Sequence, residues 1–290
     1  MTAAVTHLAE YPTDVRYEAK VIASTPLTPE FSAAEVREIV LEIPSPSLEI
    51  HIGQSVGLIA PGRADLGQDE HFRLYSVADL PEHGEGTVRI TIAVRRCTYI
   101  DDYSGEEFDG IASNYLCDRQ PGDTVTLAGP FGMPFQVPPD PDANLLLIGT
   151  GTGIAPFRAL VKHIYKERSD WRGKVWLFYG ARSGLELLYM NSQRDDFAQY
   201  YDQETFDAFR ALSPRPHWDA PIDWAASLSD RAADLWSLLG EPDTYVYIAG
   251  LEKSLGRLTQ VFVDAAGSAE KFERRQAELK AGGRWIELLY

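Results

Sequence analysis

Cysteine is scarce in this 290-residue chain: only Cys97 and Cys117 occur. That excludes a disulfide framework and any cysteine cluster able to hold an iron–sulfur centre. Positive charge is also short, with 27 lysines and arginines against 43 acids and a formal net charge of −16. Nucleic acid and anionic membranes are therefore poor candidates for a general partner. No apolar run is long enough to cross a bilayer, and the opening MTAAVTHLAEYPTD lacks the basic-then-apolar layout of a secretory signal. Membrane insertion is not expected, and the cytoplasm is the expected location. Internal repeats and low-complexity tracts are missing, and no residue cluster suggests a metal site. What remains, 44% apolar and 24% charged residues, suits a globular chain of about two domains.

The most informative stretch is 145–160, LLLIGTGTGIAPFRAL. An apolar run ends at Gly149, Gly151 and Gly153, and an apolar-periodic helix follows near Pro156, a residue suited to a first helical turn. The order strand, glycine loop, helix lets a ligand approach the backbone and offers free N–H groups to a phosphate. The spacing is G-x-G-x-G rather than G-x-G-x-x-G, because position 154 is Ile154. Taken alone, a glycine-rich turn without a ligand is the bland alternative.

Before this stretch the chain reads as short strands: YEAKVIAST, EVREIVLEIP, SVGLIA, FRLYSVA, TVRITIAVRR and DTVTLAG. Period-two alternation without long helices suggests an antiparallel barrel or sandwich. The breaker VPPDPDAN, 137–144, separates it from a part in which strands alternate with helices, the pattern of a doubly wound parallel sheet. The expected division is a lead-in 1–16, a β-barrel domain 17–140 and an α/β domain 141–290. Within the latter, helices are expected around Met190–Tyr201, Ser229–Leu239 and Leu255–Ala266, and strands at KVWLFYG, TYVYIAG and IELLY.

Several motifs occur in one order: RLYS at 73–76, AVRRCTY at 93–99, ASNYLCD at 112–118, PGDTVTLAGPFG at 121–132, GTGTGIAPFR at 149–158, LLY at 187–189, TYVYIAGL at 244–251 and a final Tyr290. On these the sequence resembles the plant-type ferredoxin–NADP⁺ reductase family from about residue 17 onward. The resemblance implies an antiparallel FAD-binding β-barrel followed by a Rossmann-like nicotinamide-nucleotide domain. It also implies hydride transfer between nicotinamide C4 and flavin N5, with single electrons exchanged with an iron–sulfur carrier, a ferredoxin or an oxygenase component. Arg73 would meet the flavin pyrophosphate, for which a guanidinium fork is well shaped. Tyr75 and Tyr290 would stack on the two flavin faces, and Ser76 would sit near N5. Tyr99 would pack on the FAD adenine, Ser113 would join a pyrophosphate cradle, and Thr152 would lie between flavin and nicotinamide. The remaining cofactor positions are Leu74, Ala93, Arg95, Ile111, Ala112, Gly151, Gly153, Ala181, Arg182, Ser213, Arg215, Gly250 and Leu251. Barrel core is the plain alternative for Tyr75 and Tyr99, and a frayed terminus for Tyr290.

The chain also departs from the pattern. Ala249 stands where the family has cysteine, and Leu288 where it has glutamate; Glu287, one place along a strand, faces the other way. Ser213, Arg215 and Arg182 could grip an NADP 2′-phosphate, whereas Asp219 and Asp223 would repel it and favour NADH. Gln68-Asp69-Glu70-His71 replaces the family's lysines before RLYS, which weakens attraction to an acidic ferredoxin. Two further readings stay open: an NAD(P)H oxidase or diaphorase with a diffusible acceptor, and a non-catalytic nucleotide-binding subunit.

Overall fold

Alternating apolar residues build the first unit, Val5–Gln136, around a seven-stranded antiparallel sheet. A computed structural model describes residues 8–63, 67–101, 103–132, 134–218 and 220–290. The strands are β1 (Arg16–Pro26), β2 (Val36–Ile43), β3 (Ser55–Pro61), β4 (Glu70–Ser76), β5 (Glu82–Gly84), β6 (Thr87–Arg95) and a later β9 (Thr124–Phe131), in the order β4-β3-β9-β1-β2-β6-β5. Just past β4, Val77 bridges Ile92 and the Ala78 N–H donates to Thr91 O at 2.7 Å. These links fold the β4 end of the sheet back onto β6. Inward residues such as Ile39, Leu41, Val56, Leu58, Ile90, Ile92, Val125 and Leu127 share one core. A hairpin of β7 (Thr98–Ile100) and β8 (Glu107–Asp109) stands apart as its own two-stranded sheet. It leads into α1 (Ile111–Cys117), which plugs the core with Ala112, Leu116 and Cys117.

The second unit, Val137–Tyr290, holds a five-stranded parallel sheet. Its strands and helices run β10 (Asn144–Thr150), α2 (Ile154–Glu167), β11 (Val175–Ala181), β12 (Phe206–Leu212), α3 (Trp224–Leu228), α4 (Ala232–Gly240), β13 (Thr244–Gly250), α5 (Leu258–Ala266), α6 (Ala269–Ala281) and β14 (Trp285–Leu289). The spatial order β12-β11-β10-β13-β14 reverses between β10 and β13. Such a switch point opens a crevice at the carboxyl ends of the two strands. Every residue of β10 is buried, as a central strand covered on both faces requires. Leu146 and Ile148 face the cluster of α3, α4, α5 and α6, while a Cβ on Gly149 would touch Phe157 of α2 on the other face.

Two details differ from the sequence reading. No α-helix forms around Met190–Tyr201: Met190 bridges Asp195, and a single 3₁₀ turn covers Ala198–Tyr200. Asn191 explains this, because its Oδ1 accepts the N–H groups of Gln193 (2.9 Å) and Arg194 (3.0 Å), a local turn that competes with helix. Helix α6 follows α5 directly, its N-cap Ser268 accepting from the Lys271 N–H at 3.3 Å. Its only buried positions are Phe272 and Leu279, too thin an apolar stripe to announce a helix.

Candidate cofactor sites

In the first unit, register puts Tyr75 opposite Val56 and Arg73 opposite Leu58, so the two share a strand face. Phe72 and Leu74 point the other way, to Ile59, Ala128 and Phe131. Tyr75 packs partly against the barrel core; burial, helped by the Cys117 and Cys97 thiols, holds its phenol far above the ordinary tyrosine pKa. Arg73 is exposed and donates to Phe72 O at 2.8 Å. Ser76 ends the strand with its Oγ 3.3 Å from that of Ser55.

A second group forms where β6 gives way to α1. Ala93 is buried opposite Glu38, and the Arg95 C=O accepts the Cys97 thiol at 3.3 Å. Ile111, Ala112 and Ser113 open α1, ahead of the first helical bond from Asn114 N–H to Gly110 O (3.1 Å), so their N–H groups have no acceptor within the helix. The Ser113 hydroxyl itself is committed to the turn: it accepts from Cys97 N–H (3.2 Å) and donates toward Gly110 O (3.3 Å). Tyr99 lies on the hairpin rather than in the barrel core, 45% exposed and stacked on Phe108 with centroids 5.7 Å apart. The sequence reading passed over Arg96, whose guanidinium reaches Glu35 (2.7 Å), Asn114 (2.8 Å) and Asp118 (2.9 Å) and ties β6 to α1. The Arg95-Arg96 pair and Asn114 inside the quoted motifs were the available signal.

In the second unit the glycine loop sits at the switch point. Gly151 has φ +53°, and a Cβ on Gly153 would lie less than 3.0 Å from the Ala249 carbonyl. Gly250 has φ +134° and approaches Thr150 as closely, while the Leu251 N–H donates to Thr150 Oγ1 at 3.1 Å. The two strand ends therefore need glycine at both contacts. Thr152 shares a 2.6 Å hydrogen bond with the Tyr290 hydroxyl. Tyr290 is not frayed: its N–H donates to Gly250 O (3.2 Å) and its C=O accepts from Glu252 N–H (3.3 Å). Tyr179, unnoticed in the sequence, donates to Gly151 O (2.9 Å) and accepts from Leu188 N–H (3.2 Å), joining the loop to the LLY segment.

Ala181, Arg182, Ser213 and Arg215 come together beyond β11 and β12. Ser213 N–H donates to Ala181 O (3.3 Å), and Arg182 donates to Pro216 O (2.8 Å). The Ser213 hydroxyl donates to Ala220 O (2.7 Å) and accepts from Arg215 N–H (3.3 Å); both arginines are exposed. Asp223, offered as an argument for NADH, also has a structural role. Its carboxylate accepts from Ala226 N–H at 3.0 Å and caps α3, so its charge serves the helix. Asp219 lies outside the described residues. Glu287 accepts from the Trp285 indole at 2.5 Å and lies 3.8 Å from Lys280, on the strand face opposite Leu288, as its one-place shift requires. Ala249 is fully buried.

Residues 147–259 match the model of an oxidoreductase NAD-binding domain. The chain is 32% identical to a ferredoxin–NADP reductase of Spirulina over 93% of each chain, and 32% identical to that of Thermosynechococcus vestitus over 92% of this chain and 70% of the relative. Against the Synechocystis ferredoxin–NADP reductase it is 30% identical and spans 66% of that protein's length. The ferredoxin–NADP⁺ reductase of Plasmodium falciparum shares the fold, with a TM-score of 0.68 at 18% identity over 97% of this chain and 98% of that one. A β-unit that carries RLYS on β4, a glycine loop at a sheet's switch point and this identity along nearly the whole Spirulina protein have one common explanation: the chain belongs to the ferredoxin–NADP reductase family.

Proposed function

We propose that the chain is an FAD-dependent reductase that moves electrons between NADP(H) and ferredoxin, with FAD held by residues 17–140 and the nucleotide by residues 141–290. The observation that carries this reading is the glycine loop at the switch point, with Gly153 against Ala249 and the Thr152 hydroxyl on Tyr290. A side chain at Gly153 would run into β13, so the loop backbone lies close against that strand at the switch point, while the space around Gly151 is open. The first unit suits a flavin nucleotide, since an exposed guanidinium, a helix start with open N–H groups and an exposed aromatic ring match a pyrophosphate and an adenine. Bound FAD supplies the exchange between a two-electron and a one-electron carrier.

The chain's own residues bind and position. Arg73 and the α1 N–H groups hold the pyrophosphate, and Tyr75 offers a ring whose phenol stays protonated at any physiological pH. Ser76 orients the accepting atom. Tyr290, held by Thr152, fixes an aromatic ring above the glycine loop and has to leave that hydrogen bond to make room for a nicotinamide. Ala249 and Leu288 carry no exchangeable proton and instead line their positions with apolar surface that excludes water. Arg182 and Arg215 receive the 2′-phosphate of NADP(H), beside Ser213, whose hydroxyl would have to leave Ala220 O to join them. No described helix is long and apolar enough to cross a membrane. The free thiols of Cys97 and Cys117 suit the reducing cytoplasm.

The test is NADPH-dependent reduction of a [2Fe–2S] ferredoxin by the FAD-loaded chain, run beside ferricyanide as a diffusible acceptor. Ferredoxin reduction supports the reading. Turnover with ferricyanide alone favours the diffusible-acceptor enzyme, for which the missing lysines at 68–71 are the specific observation.

A further inference from the structure

Strand β12 is the outer strand of its sheet and, among the described residues, pairs only with β11. The Val175 N–H donates to Thr205 O at 2.7 Å, which fixes the phase of the pairing. Asp207, Phe209 and Ala211 turn their main-chain groups to β11, and Ala208 and Arg210 turn theirs to the open edge. Further along, the edge is already used, because Leu212 C=O accepts from Asp223 N–H at 3.1 Å.

Beside Ala208 and Arg210 runs a shallow, widely open groove of about 500 Å³. Tyr201, stacked on Phe206, walls the strand face from which Arg210 projects. The α3 segment and Arg231 wall the other, with the Arg231 guanidinium 4.3 Å from the Phe209 ring centre. The carboxylate paired with Arg210 is Asp195, at a long 3.7 Å. A cation stacked on a ring still presents N–H groups in the guanidinium plane. Charges on an edge strand commonly deter pairing. Here two cations flank the edge from opposite faces, in a chain whose net charge is −16.

We infer that this groove docks an extended acidic segment of a partner polypeptide, which adds to β12 as a sixth strand. Adjacent residues of a strand point to opposite faces, so neighbouring carboxylates would meet Arg210 on one side and Arg231 on the other. The Ala208 and Arg210 main chain supplies the ladder. This inference stands apart from the reductase reading, since none of these residues belongs to the proposed cofactor sites.

Fluorescence anisotropy of the FAD-loaded full chain tests it, with a labelled octapeptide in which Thr-Val repeats flank a central Glu-Glu pair. Saturable binding is expected. Joint replacement of Arg210→Glu and Arg231→Glu should weaken it about tenfold or more. Ala208→Pro, which removes an outward N–H, and N-methylation of the peptide main chain should weaken it as well. Unchanged thermal melting of the variants shows that they fold. Absence of saturable binding, equal binding of a Lys-Lys peptide, or indifference to the charge reversals overturns the inference. Self-association of the chain that Ala208→Pro abolishes would overturn it in favour of a second copy.

Discussion

Arg158 is 4% exposed on α2, and its charge is met by Asp196 at 2.6 Å, which Arg194 also reaches at 2.7 Å. The Tyr189 ring lies against both guanidiniums, 4.4 and 5.3 Å from its centre, at a φ of +60° that few side chains adopt. Burial alone would raise the Asp196 pKa; the hydrogen bond from Arg194 and the charges of Arg158 and Arg194 outweigh it and hold the carboxyl below its ordinary value. A depressed folded pKa contributes stability that is present above the unfolded value of about 3.9 and is lost as pH falls through the folded one. Asp196→Asn should cost about 3 kcal/mol by leaving a buried guanidinium unmatched, and should flatten the acid limb of the melting profile; denaturant melts between neutral and acid pH check both. Asp223→Ala should cost about 1 kcal/mol for the lost helix cap and leave the NADPH-to-NADH ratio unchanged. A shift of that ratio toward NADPH would return Asp223 to cofactor choice. Residue type alone could not separate these roles, since a carboxylate after a strand reads equally as ribose acceptor and as helix cap.

At the scale of elements, the loop after β10 meets a demand for close approach, and in the proposed reading it also supplies phosphate donors. Gly153→Ala would place a Cβ inside the Ala249 carbonyl, displacing β13 from β10, and should cost about 2 kcal/mol together with a raised KM for NADPH. Guanidinium melts and steady-state kinetics measure the two effects; a stable variant with unchanged KM would remove the loop from nucleotide binding. The strands of both units were legible because period two and continuous apolar runs are strong local signals. α2 was legible for the same reason, its apolar periodicity following the glycines. The segment after Tyr189 was not, because the local Asn191 turn and the grip of the distant Arg158 on Asp196 override its helix-like pattern. Nor was α6, whose helical stripe is two residues wide. Arg73, Tyr75 and the glycines could be named from sequence as candidates. Tyr179 was hidden, since a tyrosine in a buried strand looks like core until its hydroxyl is seen on Gly151 O.

At the scale of the whole molecule, a net charge of −16 and the absence of lysines at 68–71 set the long-range field. Glu70 adds little to it, because Arg16 grips both its oxygens at 2.5 and 2.8 Å. Association with an acidic ferredoxin should therefore be no faster at low salt than at high salt, because like charges repel most where screening is weakest. Steep acceleration at low salt would contradict that. The central claim is that two units, one suited to FAD and one to NADP(H), make a reductase. Anaerobic stopped-flow reduction of the FAD-loaded protein, comparing NADPH with NADH across a concentration series, tests it most directly. The account predicts rapid flavin bleaching with a preference for NADPH, through Ser213, Arg215 and Arg182. Flavin that neither nucleotide reduces would contradict it.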